Sequence, residues 1–310
     1  MKSAITSVAD AVSEKVFSIT TADGFSLSAT SYKASQPIAT IVIAGATGVP
    51  QAFYRRFAIF AAQQGYTTIT FDYRGIGKSK PYSLQEFDAS FIDWATLDLA
   101  AVIDTVAYQS TVPTFMVGHS FGGHAFGIIS NHHKISGVYV FGTGAGWHGW
   151  MPWQEAIRVK VMWSVVLPAL TRWKGFTPMS TLGMGEDLPY SVYQQWKHWC
   201  QFPHYFFDDP EAAHLTAEFT KVRTPIIAAN AIDDLWAMPR SRDAFMKGYC
   251  NAPVTTLDIP LTPSLSSIGH MGYFRANAVP LWNAVLTWFN QLIPTTSEAS
   301  IAICQPTDKA

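Results

Sequence analysis

At 310 residues the chain can bury a large core, as one big domain or one domain with an inserted piece. Charged residues make up only 14% of it, against roughly 25% in an average soluble protein, while aromatics also reach 14% and include 11 tryptophans, so apolar walls are expected in the core or around a pocket. A formal net charge of −1 leaves no electrostatic case for nucleic acid or an anionic membrane surface. No apolar run reaches the ~18 to 20 residues of a spanning helix, so no membrane span is expected.

The first 14 residues lack a long apolar stretch of the signal-peptide kind. Cys200, Cys250 and Cys304 are far apart and odd in number, which suggests reduced thiols and a cytoplasmic protein.

In chain order, 16–33 reads as two strands around the turn Ala22-Asp23-Gly24, with half-buried alternation at 25–29. The run 38–44 is nearly all β-branched or small, as in a strand covered on both faces, and it ends in Gly45-Ala46-Thr47-Gly48. A helix is expected over 51–64, with Phe53, Phe57 and Phe60 on one face and Gly65 as its stop. A buried strand follows at 67–73, then the turn Arg74-Gly75-Ile76-Gly77-Lys78-Ser79, then a helix over 91–107. Asp72 and Arg74 in that turn suit structural ion pairs or hydrogen bonds. Strand 114–118, helix 122–131 and strand 135–142 complete an alternation that calls for a mostly parallel, twisted sheet with helices on both faces.

The rhythm then breaks. Residues 146–206 hold seven of the 11 tryptophans and no clear strand, and read as a helical insertion. Its basic residues Arg158, Lys160, Arg172, Lys174 and Lys197 outnumber its three acids, which suits an anionic substrate group or a solvated face. Strands return at 225–230 and 254–259, and an amphipathic helix closes the pattern over 279–292. The tail 294–310 is polar and small, and is expected to be loosely held.

The chemistry centres on Gly118-His119-Ser120-Phe121-Gly122, where an apolar strand runs into Gly-x-Ser-x-Gly. A serine at such a strand-to-helix elbow presents its hydroxyl, and the backbone N–H of the next residue lies beside it. Serine is a weak nucleophile without a base. In an alternating α/β chain the base and its acid belong on loops at the C-terminal ends of later strands. Asp233-Asp234 and His270, between glycines, fall there. Asp234, three residues after Ala231 and five before Pro239, is the preferred acid, with Asp233 as the alternative. His119 and His124 flank the elbow as packed or hydrogen-bonded neighbours, and His132-His133, at a helix end, are expected to be solvated. An acyl-transfer serine also needs an oxyanion hole: Phe121 would give one N–H, and Ala46, with Thr47 second, the other. The histidine and cysteine spacings do not match a metal site, and no cofactor motif is present.

Together these stretches resemble the serine-type α/β-hydrolases. More narrowly they resemble a bacterial group of predicted α/β-hydrolases that shares the Asp72-Tyr73-Arg74-Gly75 turn, Gly185-Glu186-Asp187-Leu188-Pro189 and Trp196-x-x-Trp199-Cys200. The resemblance implies an α/β-hydrolase core at 1–145 and 207–293 and a Trp-rich helical cap at 146–206. It also implies a Ser120-Asp234-His270 triad, but no substrate; a nucleophilic serine among so many aromatics suits a small-molecule acyl substrate with an apolar part. Ala44-Gly45 stands where many lipases and esterases have His-Gly.

Overall fold

The computed structural model describes residues 12–294, so Cys304 and the tail expected to be loosely held, apart from residue 294, lie outside the described residues. Within these described residues eight strands form one sheet: β1 (Ser13–Thr20), β2 (Ser26–Lys33), β3 (Ala39–Ala44), β4 (Tyr66–Phe71), β5 (Thr114–His119), β6 (Gly137–Phe141), β7 (Ile226–Ala231) and β8 (Val254–Ile259). Their order across the sheet is β1-β2-β4-β3-β5-β6-β7-β8. β2 pairs antiparallel with β1 and β4, and from β4 to β8 each pairing is parallel. This is the architecture of an α/β-hydrolase.

Among the described residues ten α-helices follow in chain order: α1 (Arg55–Gln63), α2 (Phe91–Asp93), α3 (Ala100–Gln109), α4 (Phe121–Phe126), α5 (Trp153–Val161), α6 (Leu167–Lys174), α7 (Tyr190–Trp199), α8 (Ala213–Phe219), α9 (Pro239–Met246) and α10 (Val279–Leu292). Successive residues of a strand point to opposite faces, so a doubly covered strand feeds two cores. β3 does this: Ile41 and Ile43 join the core with α1 and α10, while Val42 and Ala44 join the core with α3 and α4.

Several elements depart from the sequence reading. The helix expected at 51–64 opens with a tight 3₁₀ turn, Gln51–Tyr54, before α1. The helix expected at 91–107 contains a wide π turn, Trp94–Leu99, from which the Trp94 indole donates to the Arg74 carbonyl at 2.9 Å. The helix expected at 122–131 ends at Phe126. Gly127 is a poor helix former, and the Asn131 amide donates to the Ala100 carbonyl at 2.9 Å instead. His132 is not solvated but buried against Phe126, while His133 is exposed.

The turn after β4 is a structural junction. Asp72 accepts from the backbone N–H of Gln51 (2.7 Å) and Lys78 (3.0 Å), and the buried Arg74 guanidinium bridges Asp98 and Asp23, each at 2.7 Å. Between β6 and α8 the chain is helical, carrying α5, α6 and α7. Gln195 of α7 accepts from the N–H of Phe91 at 2.9 Å, and Glu186 donates its N–H to the Gly48 carbonyl at 2.8 Å.

Candidate active site

The chain reverses sharply at Ser120, whose φ of 51° and ψ of −107° lie where few non-glycine residues go. Glycines let neighbouring backbone close in around it. A Cβ on Gly122 would sit 2.1 Å from the Ala44 carbonyl oxygen, and one on Gly118 would sit 3.0 Å from the Gly123 nitrogen. The elbow is therefore pinned as much by β3 as by its own turn.

Three strand ends converge there. Ser120 follows β5, Asp234 follows β7, and His270 follows β8. The Ser120 hydroxyl lies 3.0 Å from His270 Nε2, and His270 Nδ1 lies 2.9 and 3.1 Å from the two Asp234 oxygens. A carboxylate only accepts, so Nδ1 carries the ring proton and Nε2 offers its lone pair to the Ser120 hydroxyl. Asp234 is fully buried and also accepts from the Ala237 N–H and the Tyr273 hydroxyl, each at 2.9 Å. Burial pushes its carboxyl up, but the positive charge His270 carries when it is protonated, together with the His270, Ala237 and Tyr273 donors, outweighs that and holds it below the usual carboxylate range.

The adjacent aspartate has a different partner. Asp233 accepts from the backbone N–H groups of Ile268 and Gly269, both at 3.0 Å, so it grips the histidine loop by its main chain, not by the ring. Two neighbouring carboxylates thus hold the same loop at two points.

The expected oxyanion loop is arranged otherwise than the sequence suggested. The Ala46 N–H donates to the Tyr54 hydroxyl at 2.7 Å and is already used. Among the described residues no acceptor meets the Thr47 N–H, and Thr47 lines the cavity over Ser120. Nor does any acceptor among the described residues meet the Phe121 N–H, at the first position of α4. The spent Ala46 donor is a consequence of Tyr54, eight residues on, which no local motif marks.

Tyr54 belongs to a wider chain of bonds. Its hydroxyl lies 3.0 Å from His119 Nδ1, and His119 Nε2 lies 2.9 Å from the His270 carbonyl oxygen. That carbonyl can only accept, so Nε2 is the donor. Burial first, then the charge of His270, push His119 down to about 3, so the ring is neutral and its Nδ1 accepts the Tyr54 proton. The network links the 45–48 loop, the elbow and the histidine loop. His119 was legible as a bonded neighbour; Tyr54 and Tyr273 were not.

Above Ser120 lies a cavity of about 460 Å³. Its sheet side includes Thr47, Asp233 and His270, and Met179, Met184 and Trp196 from the helical segment add an apolar wall. Among the described residues no three His, Cys, Asp or Glu side chains converge as metal ligands would.

The alpha/beta hydrolase family model matches residues 41–278. The chain belongs to the alpha/beta hydrolase family. A search of curated proteins finds no match. Among solved structures, this hydrolase is similar to a soluble variant of monoglyceride lipase from Saccharomyces cerevisiae bound to a substrate analogue, at 15% identity and TM-score 0.67, over 92% of this chain and 96% of that one. It is also similar to an esterase from Pyrococcus furiosus, at 14% identity and TM-score 0.60, over 91% and 92% of the two chains. A third likeness is the esterase domain of a Rhodothermus marinus protein, at 14% identity and TM-score 0.56, over 89% and 97%. At these identities the likeness is one of fold. No helix among the described residues is long and apolar enough to cross a membrane.

Proposed function

We propose that this hydrolase is a serine enzyme that cleaves a carboxylic ester or a related acyl compound. The observation that carries the reading is the continuous hydrogen-bond line from Ser120 through His270 to the buried Asp234. In this mechanism the Ser120 hydroxyl attacks the acyl carbonyl as His270 Nε2 takes its proton. Asp234 holds the imidazole in the right tautomer and stabilises the imidazolium. The developing oxyanion is received by the backbone N–H groups of Phe121, next to Ser120, and of Thr47, neither of which meets an acceptor among the described residues. His270 returns the proton to the leaving alcohol, and water, deprotonated by the same imidazole, releases the acid. The helical segment 146–206 acts as a cap whose methionine and tryptophan side chains receive the apolar part of the substrate.

Labelling with a fluorophosphonate tests this reading. Wild type is expected to form a covalent adduct at Ser120 and to hydrolyse p-nitrophenyl esters, while Ser120→Ala does neither. An unlabelled, inactive wild type that still binds apolar ligands in the cavity would place the chain among binding proteins on this scaffold.

A further inference from the structure

α5, a wide turn at Met162–Val166 and α6 follow one another without a break over 153–174. Val159, Trp163, Leu167 and Thr171 recur every four residues and are at most 8% exposed, so they form the inward face. Displaced from them by two positions, Trp153, Ile157, Val161, Val165, Ala169 and Trp173 also recur every four residues. All six are exposed, the five large ones by 49 to 76%. A two-residue offset is about 200° around a helix, so this second row faces away from the core. In a straight α-helix a four-residue row winds by about 40° per step. The wider π turn at Met162–Val166 works against that drift.

A helix with an apolar inner face needs polar residues outside. This one instead presents a second apolar row, tryptophan at both ends, with no described residue covering it. Its charges are one-sided. Arg158, Lys160, Arg172 and Lys174 stand against Glu155 alone, a local excess within a chain of net charge −1. The Lys174 ammonium lies 4.6 Å from the Trp173 ring, so cation and indole share one end of the row. Exposed aliphatic residues between terminal indoles, with basic flanks, have the make-up of a helix lying in the plane of an anionic lipid interface. The same helix carries Glu155 and Arg158 into the lining of the cavity over Ser120. The whole-chain charge hides this surface, because the compensating acids lie elsewhere.

We propose that the outer face of residues 153–174 docks this hydrolase on an anionic lipid surface, without spanning it. The helix would then set the cavity beside the bilayer, where an amphiphilic ester partitions; that last step rests on the reading of Ser120 given above, and the docking does not. Co-flotation of the full chain with mixed phosphatidylcholine–phosphatidylglycerol vesicles tests it. Wild type and Ser120→Ala are expected to float equally, which separates docking from catalysis. Val161→Asp with Val165→Asp should lower the bound fraction about tenfold or more, with turnover of a short water-soluble ester unchanged. Lys160→Gln, Arg172→Gln and Lys174→Gln together should weaken binding to a similar degree, as should high salt. No flotation of wild type, or equal flotation of the variants, overturns the proposal. Equal binding to pure phosphatidylcholine overturns the anionic preference. A dimer that Val161→Asp disperses, with no vesicle binding, assigns the face to a second copy of the chain instead.

Discussion

The two sides of the Ser120 cavity are held by different forces. On the sheet side, buried and half-buried polar groups each meet specific partners: Asp234 with His270, Ala237 and Tyr273; Asp233 with the 268–269 backbone; Tyr54 with Ala46 and His119. On the helical side, contact is chiefly aromatic. Trp163 meets Trp196 edge-on at 4.9 Å, and Trp196 lies 5.6 Å from Trp236. Directional bonds fix atoms to tenths of an ångström, as proton transfer requires. Ring packing is less directional and tolerates changes of shape. The sheet side should therefore govern whether reaction occurs, and the helical side what reacts.

Substitutions can break that division. Ser120→Ala, on the sheet side, should lower kcat by ~10⁴ to 10⁶-fold, measured on p-nitrophenyl butyrate, with little change in KM. Asp234→Asn should cost about 10⁴-fold by favouring the wrong imidazole tautomer. Asp233→Asn should cost far less, of the order of tenfold, because it loosens the loop and leaves the ring its partner. If the two asparagine variants are equally impaired, the assignment of Asp234 as the triad acid fails.

Acid should weaken the sheet side. Burial holds His119 at about 3 and His124 at about 4, both below the ordinary 6.5 they regain on unfolding. The unfolded chain thus binds more protons in that window. Their contribution is fully present above pH 6.5 and is lost as pH falls toward each folded value, by up to ~1.4 kcal/mol per pH unit for each ring. Urea melts at several pH values should show it, and His124→Gln should flatten the slope. An equal slope in that variant removes His124 from the account.

Tyr54→Phe leaves the Ala46 N–H buried without its acceptor and should cost ~1 to 3 kcal/mol of stability. If stability is unchanged, the network is not a structural tie. The smallest effect belongs to the helical side. Trp196→Ala should shift preference among acyl chain lengths by about tenfold, with the rate of fluorophosphonate labelling little altered. A loss of labelling there would mean that the helical segment, too, positions the reacting groups.

Much of this was legible because parallel strands buried on both faces read as unbroken apolar runs, and because a catalytic elbow needs glycines at set offsets. The serine, the histidine and the acid pair stood out on those grounds, and the order of their loops implied convergence. The spacing favoured Asp234 over Asp233 as the acid, without showing what would turn it to the ring. Both sit on one turn, and their directions are set by Tyr273 and by the 268–269 backbone, 35 and 36 residues away from Asp233 for the latter. Ala46 failed as a donor for a similar reason: a tyrosine one helical turn into the next element reached back to it first.

The amino-acid sequence by itself determined the class of fold, the elbow and the set of groups able to do chemistry, since these follow from local periodicity and residue type. Only the tertiary structure decided which N–H groups stay free, how the paired aspartates divide their work, and that the helix over 153–174 turns one apolar row inward and another outward. Those outcomes depend on which surfaces meet, and a count of residues along the chain, or of charges over the whole of it, carries no record of facing.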